Sequence, residues 1–169
     1  MTQQLNPLRR SYEARVLVVP LGTTGGQMTD DIIAMGIDGI RILRRTDSET
    51  LTVPVGPHAW EAAESASVVN VVQAADMVVL VGSDLSEIDE RLIGDVAAAA
   101  EGNGAMITAV LVASSKWETP EGASAMRRLR SDADMLVEVR GPGLLAALVD
   151  VLRGGARTED VQPRSEAVR

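Results

Sequence analysis

Three short runs, 16-VLVVPL-21, 77-MVVLVG-82 and 106-MITAVLVA-113, constrain the fold of this chain more than any other feature. Each is rich in β-branched residues and nearly free of polar ones, the pattern of a strand buried on both faces. Strands of that kind belong to a parallel sheet covered by helices above and below. Two weaker runs, 39-GIRILRR-45 and 135-MLVEVR-140, predict further strands at or near the sheet edges. The segments between them read as helices. Residues 27–36 stop at Gly36, and 58–75 form a longer pattern. Residues 86–104 place Ser86 and Asp89 as a capping pair and Gly102 and Gly104 at the exit, and 144–155 end at a glycine pair. Strands alternating with helices imply right-handed crossovers and a three-layer, doubly wound α/β sandwich of Rossmann-like type.

The 169 residues suit one domain, with a folded unit at 15–154 and polar, non-periodic tails at 1–14 and 155–169. Aromatic residues make up 2% of the chain and Phe is absent, so the core must be built from Val, Leu, Ile, Met and Ala. A formal net charge of −8 argues against nucleic acid as a partner. The chain has no Cys and a single His, His58, which leaves no thiolate metal site and little material for a His-dependent catalytic triad. No segment reaches the roughly 18 consecutive apolar residues of a membrane span, and residues 1–15 lack the apolar core of a signal peptide. The expectation is a soluble, cytoplasmic protein without membrane insertion.

The first strand runs directly into glycine-rich sequence, 18-VVPLGTTGGQM-28. A strand, a glycine turn and a helix can aim backbone N–H groups and a helix N-terminus at an anion. Gly22, Thr23, Thr24, Gly25, Gly26 and Gln27 are therefore candidate phosphate-binding residues. The stretch matches neither G-x-G-x-x-G nor a P-loop, since no Lys lies near it. A turn that merely closes a strand–helix junction stays open beside the phosphate reading, and Ala at Gly25 and Gly26 is expected to destabilise either.

Taken together, residues 16–140 resemble the N-terminal nucleotide-binding half of the FtsZ/tubulin family of cytoskeletal GTPases. The family's GVGGGGGNA loop corresponds to 20-PLGTTGGQM-28, and its strand ending in NTD to the text around 45-RTDSETL-51. Its helix-to-strand phrase EGADMVFITAG has the same form as 62-AAESASVVNVVQAADMVVLVG-82. The strand GALTVGVVT resembles 103-NGAMITAVLV-112, the F-E-G turn resembles Pro120-Glu121-Gly122, and VDTLIVI resembles 133-ADMLVEV-139. The resemblance implies a GTP or GDP site, with Mg2+, formed by the glycine stretch together with Thr46, Asp47, Ser83 and Glu121.

The match breaks where the family carries its second phosphate loop, GGGTGTG. Here the chain reads 83-SDLSEIDER-91, with Asp84, Glu87, Asp89 and Glu90. Carboxylates there repel a polyphosphate by about a kcal/mol or more per unscreened pair. They could instead recruit a divalent metal, or complement helix dipoles and face water. Ala125 stands where the family's E-G-x-x-R pattern has its Arg. The family's long central helix and the loop that activates water in a neighbouring subunit are not recognisable.

Of the other candidates, Asp76 is expected to end a helix and Asp30 and Asp31 to begin one. Lys116, the only Lys, follows a strand at the edge where open α/β sheets bind ligands. The reading that follows is a divergent, truncated FtsZ-like domain acting as a non-catalytic interaction or regulatory module. It would have no catalytic residue and no required cofactor, and would self-associate or engage a protein partner. Two alternatives stay open: a weak GTP- or GDP-binding protein or GTPase, and a small α/β dinucleotide-binding enzyme.

Overall fold

A computed structural model of the protein describes residues 14–45, 50–56, 60 and 67–154. The apolar runs form β1 (Val16–Pro20), β2 (Ile40–Arg45), β4 (Met77–Asp84), β5 (Met106–Ser115) and β6 (Met135–Val139). A further strand, β3 (Thr50–Val55), lies where the sequence reading has a connection. The helices are α1 (Gly22–Ala34), α2 (Val68–Ala74), α3 (Glu90–Asn103), α4 (Pro120–Asp132) and α5 (Pro142–Arg153), with a 3-10 turn at Leu85–Glu87.

The strands make one six-stranded sheet in the order β3-β2-β1-β4-β5-β6. All neighbours are parallel except the β2–β3 hairpin. Alternation along the strands sorts the core onto two faces. Leu17, Val19, Val78, Leu80, Ala109 and Leu111 point toward α2, α3 and α4, where Val72, Ile93, Val96 and Leu129 meet them. Val16, Val18, Ile40, Ile42, Val79 and Val110 point the other way, toward Ile32 of α1 and Leu145 and Val149 of α5. This is the doubly wound, three-layer sandwich that the periodicity implies.

Local sequence sets most helix ends. Asp89 accepts from the N–H groups of Arg91 and Leu92 at the start of α3, and Gly104 closes that helix with φ +74°. The expected Ser86–Asp89 capping pair is not formed; Asp84 caps Ser86 instead, in the 3-10 turn. Thr119 caps α4 through the N–H of Gly122, with Pro120 at the first helical position. Ser67 caps α2 through the N–H of Asn70. Of the predicted helix 58–75, only residues 60 and 67–75 are described, and His58 lies outside them. Asp76 does more than end α2: its carboxylate accepts from the backbone N–H of Arg15 at 2.8 Å, which ties the start of β1 to the start of β4. The segments read as tails fall outside the described residues, apart from Ala14.

The central strands should dominate stability. Leu80 in β4 is 1% exposed, and Leu80→Ala is expected to lower the unfolding free energy by about 2–5 kcal/mol in urea denaturation. Leu51→Ala on the edge strand β3, where the side chain is 46% exposed, should cost less than about 1 kcal/mol.

Candidate functional site

The strand order reverses direction between β1 and β4, and open α/β sheets bind ligands at the carboxyl end of such a switch point. Here that point is the junction of β1 with α1, facing the end of β4. The glycine stretch does lie at this junction, but it is not a loop. Gly22 to Gly26 form the opening turns of α1, and Leu21 alone separates the helix from β1. Leu21 is fully buried and its N–H donates to the Val81 carbonyl at 2.7 Å. With one connecting residue, no loop is left to wrap a phosphate.

The glycines serve two close approaches. Gly22 adopts φ +76°, and a Cβ there would lie 2.7 Å from Cβ of Glu87. At Gly25 a Cβ would collide with the backbone carbonyl of Val81, so glycine lets α1 sit directly on the end of β4. At Gly26 a Cβ would meet nothing within 4 Å. The structure thus separates two positions that the sequence reading treats alike.

The anion position at the start of α1 is held by the protein's own carboxylate. One carboxylate oxygen of Glu87 (Oε2) accepts from the backbone N–H of Thr24 and from its hydroxyl, both at 3.1 Å. The Thr24 hydroxyl oxygen in turn accepts from the N–H of Asp84 at 3.1 Å. A side chain 63 residues away therefore caps a helix whose own N-cap residue, Leu21, contributes no side-chain bond. Negative charge here is also favoured by the helix dipole.

The other acids of 84-DLSEIDE-90 are engaged as well. Asp84 accepts from the N–H and hydroxyl of Ser86, Asp89 pairs with Arg45 at 3.0 Å while capping α3, and Glu90 accepts from the Ser124 hydroxyl on α4. These contacts knit β2, α1, the 3-10 turn, α3 and α4 together across the carboxyl end of the sheet. Among the described residues no group of three or more His, Cys, Asp or Glu side chains is arranged to hold a metal ion. Asp30 and Asp31 do not begin α1. They lie roughly 12 Å along it from Gly22, and Asp30 pairs with Arg44 at 2.6 Å.

The remaining candidates are dispersed. Thr23 and Gln27 are exposed on α1. Ser83 is half-buried beside the irregularity in the β4–β5 register, and Glu121 is exposed in the first turn of α4. Thr46 and Asp47 lie outside the described residues. Lys116 is exposed with φ +65°; its carbonyl accepts from the Thr119 hydroxyl, and Gly122 packs against that carbonyl. Away from this end, a shallow groove of about 360 Å³ lies between α2 and α3, bordered by Val69, Gln73, Asp95 and Ala98. No helix among the described residues is long and apolar enough to cross a membrane.

No family model and no curated protein matches the chain. Among solved structures, the translation elongation factor SelB from Methanococcus maripaludis, in complex with the GTP analogue GppNHp, is similar at 14% identity with a TM-score of 0.47. The match covers 86% of this chain and 35% of that one, so the chain spans about a third of that protein's length.

The two glycines at the junction should respond in opposite senses. Gly25→Ala is expected to destabilise the domain by more than about 1 kcal/mol, because a backbone carbonyl must move. Gly26→Ala should be neutral or stabilising by up to about 1 kcal/mol, since Ala is the better helix former and meets nothing. Thermal and urea unfolding of the two variants side by side measures the difference.

Proposed function

We propose that this domain is a divergent relative of the FtsZ/tubulin nucleotide-binding half that works as a non-catalytic interaction or regulatory module. The observation that carries the reading is the carboxylate of Glu87 on the N–H and hydroxyl of Thr24. A polyphosphate needs that same helix terminus, and it would have to displace Glu87 and enter a surface lined by Asp84, Asp89 and Glu90. The absence of a glycine loop between β1 and α1 supports the same conclusion, because Leu21 is the whole connection. The strand order, with its switch point between β1 and β4, is consistent with descent from a nucleotide-binding fold, though fold alone assigns no activity.

A second reading has one specific observation in its favour. The start of α1 already stabilises a carboxylate, so its electrostatics suit an anion. If the exposed Glu87 side chain swings into solvent, the phosphates of GTP or GDP, with Mg2+, have a helix terminus to occupy. A dinucleotide would use the same opening.

Calorimetry with GTP, GDP and NAD, each with and without Mg2+, separates these readings. The wild-type protein is expected to bind none of them at low micromolar concentration; a low-micromolar guanine nucleotide affinity overturns the proposal. Glu87→Ala should lose about 1 kcal/mol of stability, the worth of a surface cap. It should also be restabilised by inorganic phosphate or sulfate in thermal unfolding more than the wild-type protein is, because the vacated helix terminus then accepts an external anion.

A further inference from the structure

We propose that the outer face of α5 is the seat of the chain's own N-terminal segment, residues 1–13, which runs along that helix and covers it. The proposal goes beyond the module reading and does not depend on it. A surface helix normally buries one apolar stripe and presents charge to water. α5 buries Leu145 and Val149 completely against the sheet, yet its outer side is also apolar. Leu144 is 53% exposed and Val151 is 71% exposed; Ala147 is exposed and Leu148 half-buried between them. Positions 144, 147, 148 and 151 follow the i, i+3, i+4, i+7 spacing of a single helical stripe.

The path of the chain names the occupant. The Ala14 N–H donates to the Arg153 carbonyl at 3.0 Å, and Ala14 packs on the same core cluster as Leu145 and Val149. Residues 1–13 therefore join the described structure at the C-terminal end of α5, the end that carries Val151. Thirteen residues reach about 40 Å when extended, whereas a helix of 12 residues is about 18 Å long, so the segment can cover the whole face. It runs toward Ala14 in the direction that α5 runs toward Arg153, which places Leu5 toward Leu144 and Tyr12 toward Val151. Leu5, Leu8 and Tyr12 are spaced three and four apart, so on a helical turn they share one face.

Charge favours the same occupant. Arg153 is shared between Asp150 at 2.5 Å and Asp38 at 3.0 Å, so two carboxylates meet one guanidinium at the foot of α5. Both aspartates are about half exposed, and Arg9 and Arg10, close to Ala14 in sequence, are the cations that can reach them. With Glu13, the two arginines leave residues 1–13 net positive in a chain of net charge −8. Repulsion between two such chains works against a second copy on this face. Residues 155–169 start from the same foot, but they carry no net positive charge and no apolar side chain larger than Val161 and Val168.

The chain has no Cys, so Asn6→Cys combined with Ala147→Cys supplies a single thiol pair in the full chain. Under mild oxidation at low micromolar concentration this variant should close an intramolecular disulfide about tenfold faster than Asn6→Cys with Glu101→Cys, whose second thiol is exposed on α3 across the sheet. Leu8→Glu or Leu144→Glu, added to the first pair, should each slow closure several-fold. A second measurement needs no thiol. Removal of residues 1–12 should raise binding of the hydrophobic dye ANS, and Val151→Glu, at an exposed site, should cancel the rise. Equal closure rates for the two thiol pairs overturn the proposal, as does a truncation that leaves dye binding unchanged. A disulfide-linked dimer in place of the closed monomer also overturns it and assigns the face to a second copy. Co-sedimentation of the full chain with phosphatidylcholine vesicles, abolished by Val151→Glu, overturns it in favour of lipid.

Discussion

The seam between β1 and β4 joins the two halves of the sheet, and everything at the candidate site depends on it. Five parallel residue pairs, from Val16 with Met77 to Pro20 with Val81, bring the first strand against the fourth. The seam does not stop where the strands stop. At its lower end the Asp76 carboxylate takes the Arg15 N–H. At its upper end Leu21 donates to the Val81 carbonyl, and Gly25 presses α1 onto that same carbonyl. Beyond the strands the Thr24–Glu87 contact continues it. Closing a loop of about 60 residues costs conformational entropy, and this continuous line of contacts offsets it. A junction drawn this tight also leaves Leu21 as the whole connection between β1 and α1.

The strand–helix alternation was legible because it depends on local pattern. The fully apolar strands β1, β4 and β5 announce burial on both faces, and the weaker runs around Ile40 and Met135 fall where β2 and β6 form. β3 escaped because Thr50–Val55 interleaves threonines with Leu and Val and contains Pro54, a composition that an edge strand tolerates and a buried one does not. The start of α1 was misplaced for a different reason. Gly22, Gly25 and Gly26 are poor helix formers, so propensity places them in a turn. Gly22 and Gly25 pack instead against Glu87 and Val81, which are about 60 residues away in sequence and invisible to local rules.

The acidic segment shows the same limit at the level of chemistry. Its four carboxylates are plain in the sequence, and their conflict with a polyphosphate follows from charge alone. What charge alone does not reveal is that each has a distinct donor: Ser86 for Asp84, Thr24 for Glu87, Arg45 and the start of α3 for Asp89, and Ser124 for Glu90. Thr24 changes meaning most. It sits in the stretch that resembles a phosphate loop, and its N–H and hydroxyl do receive an anion, but one supplied by the same chain.

This internal anion bears on how the helix terminus is completed when no ligand is bound. In a nucleotide-binding fold the helix terminus at the switch point is completed by phosphate when ligand is bound, and its N–H groups face water when it is not. A tethered carboxylate can complete the terminus whether or not a ligand is present. Mass-action stabilisation by a ligand rises with the free ligand concentration and vanishes without it. An internal cap therefore contributes a stabilisation that does not depend on ligand concentration. The other three carboxylates of the segment, Asp84, Asp89 and Glu90, are likewise each held by a donor of the same chain at the carboxyl end of the sheet.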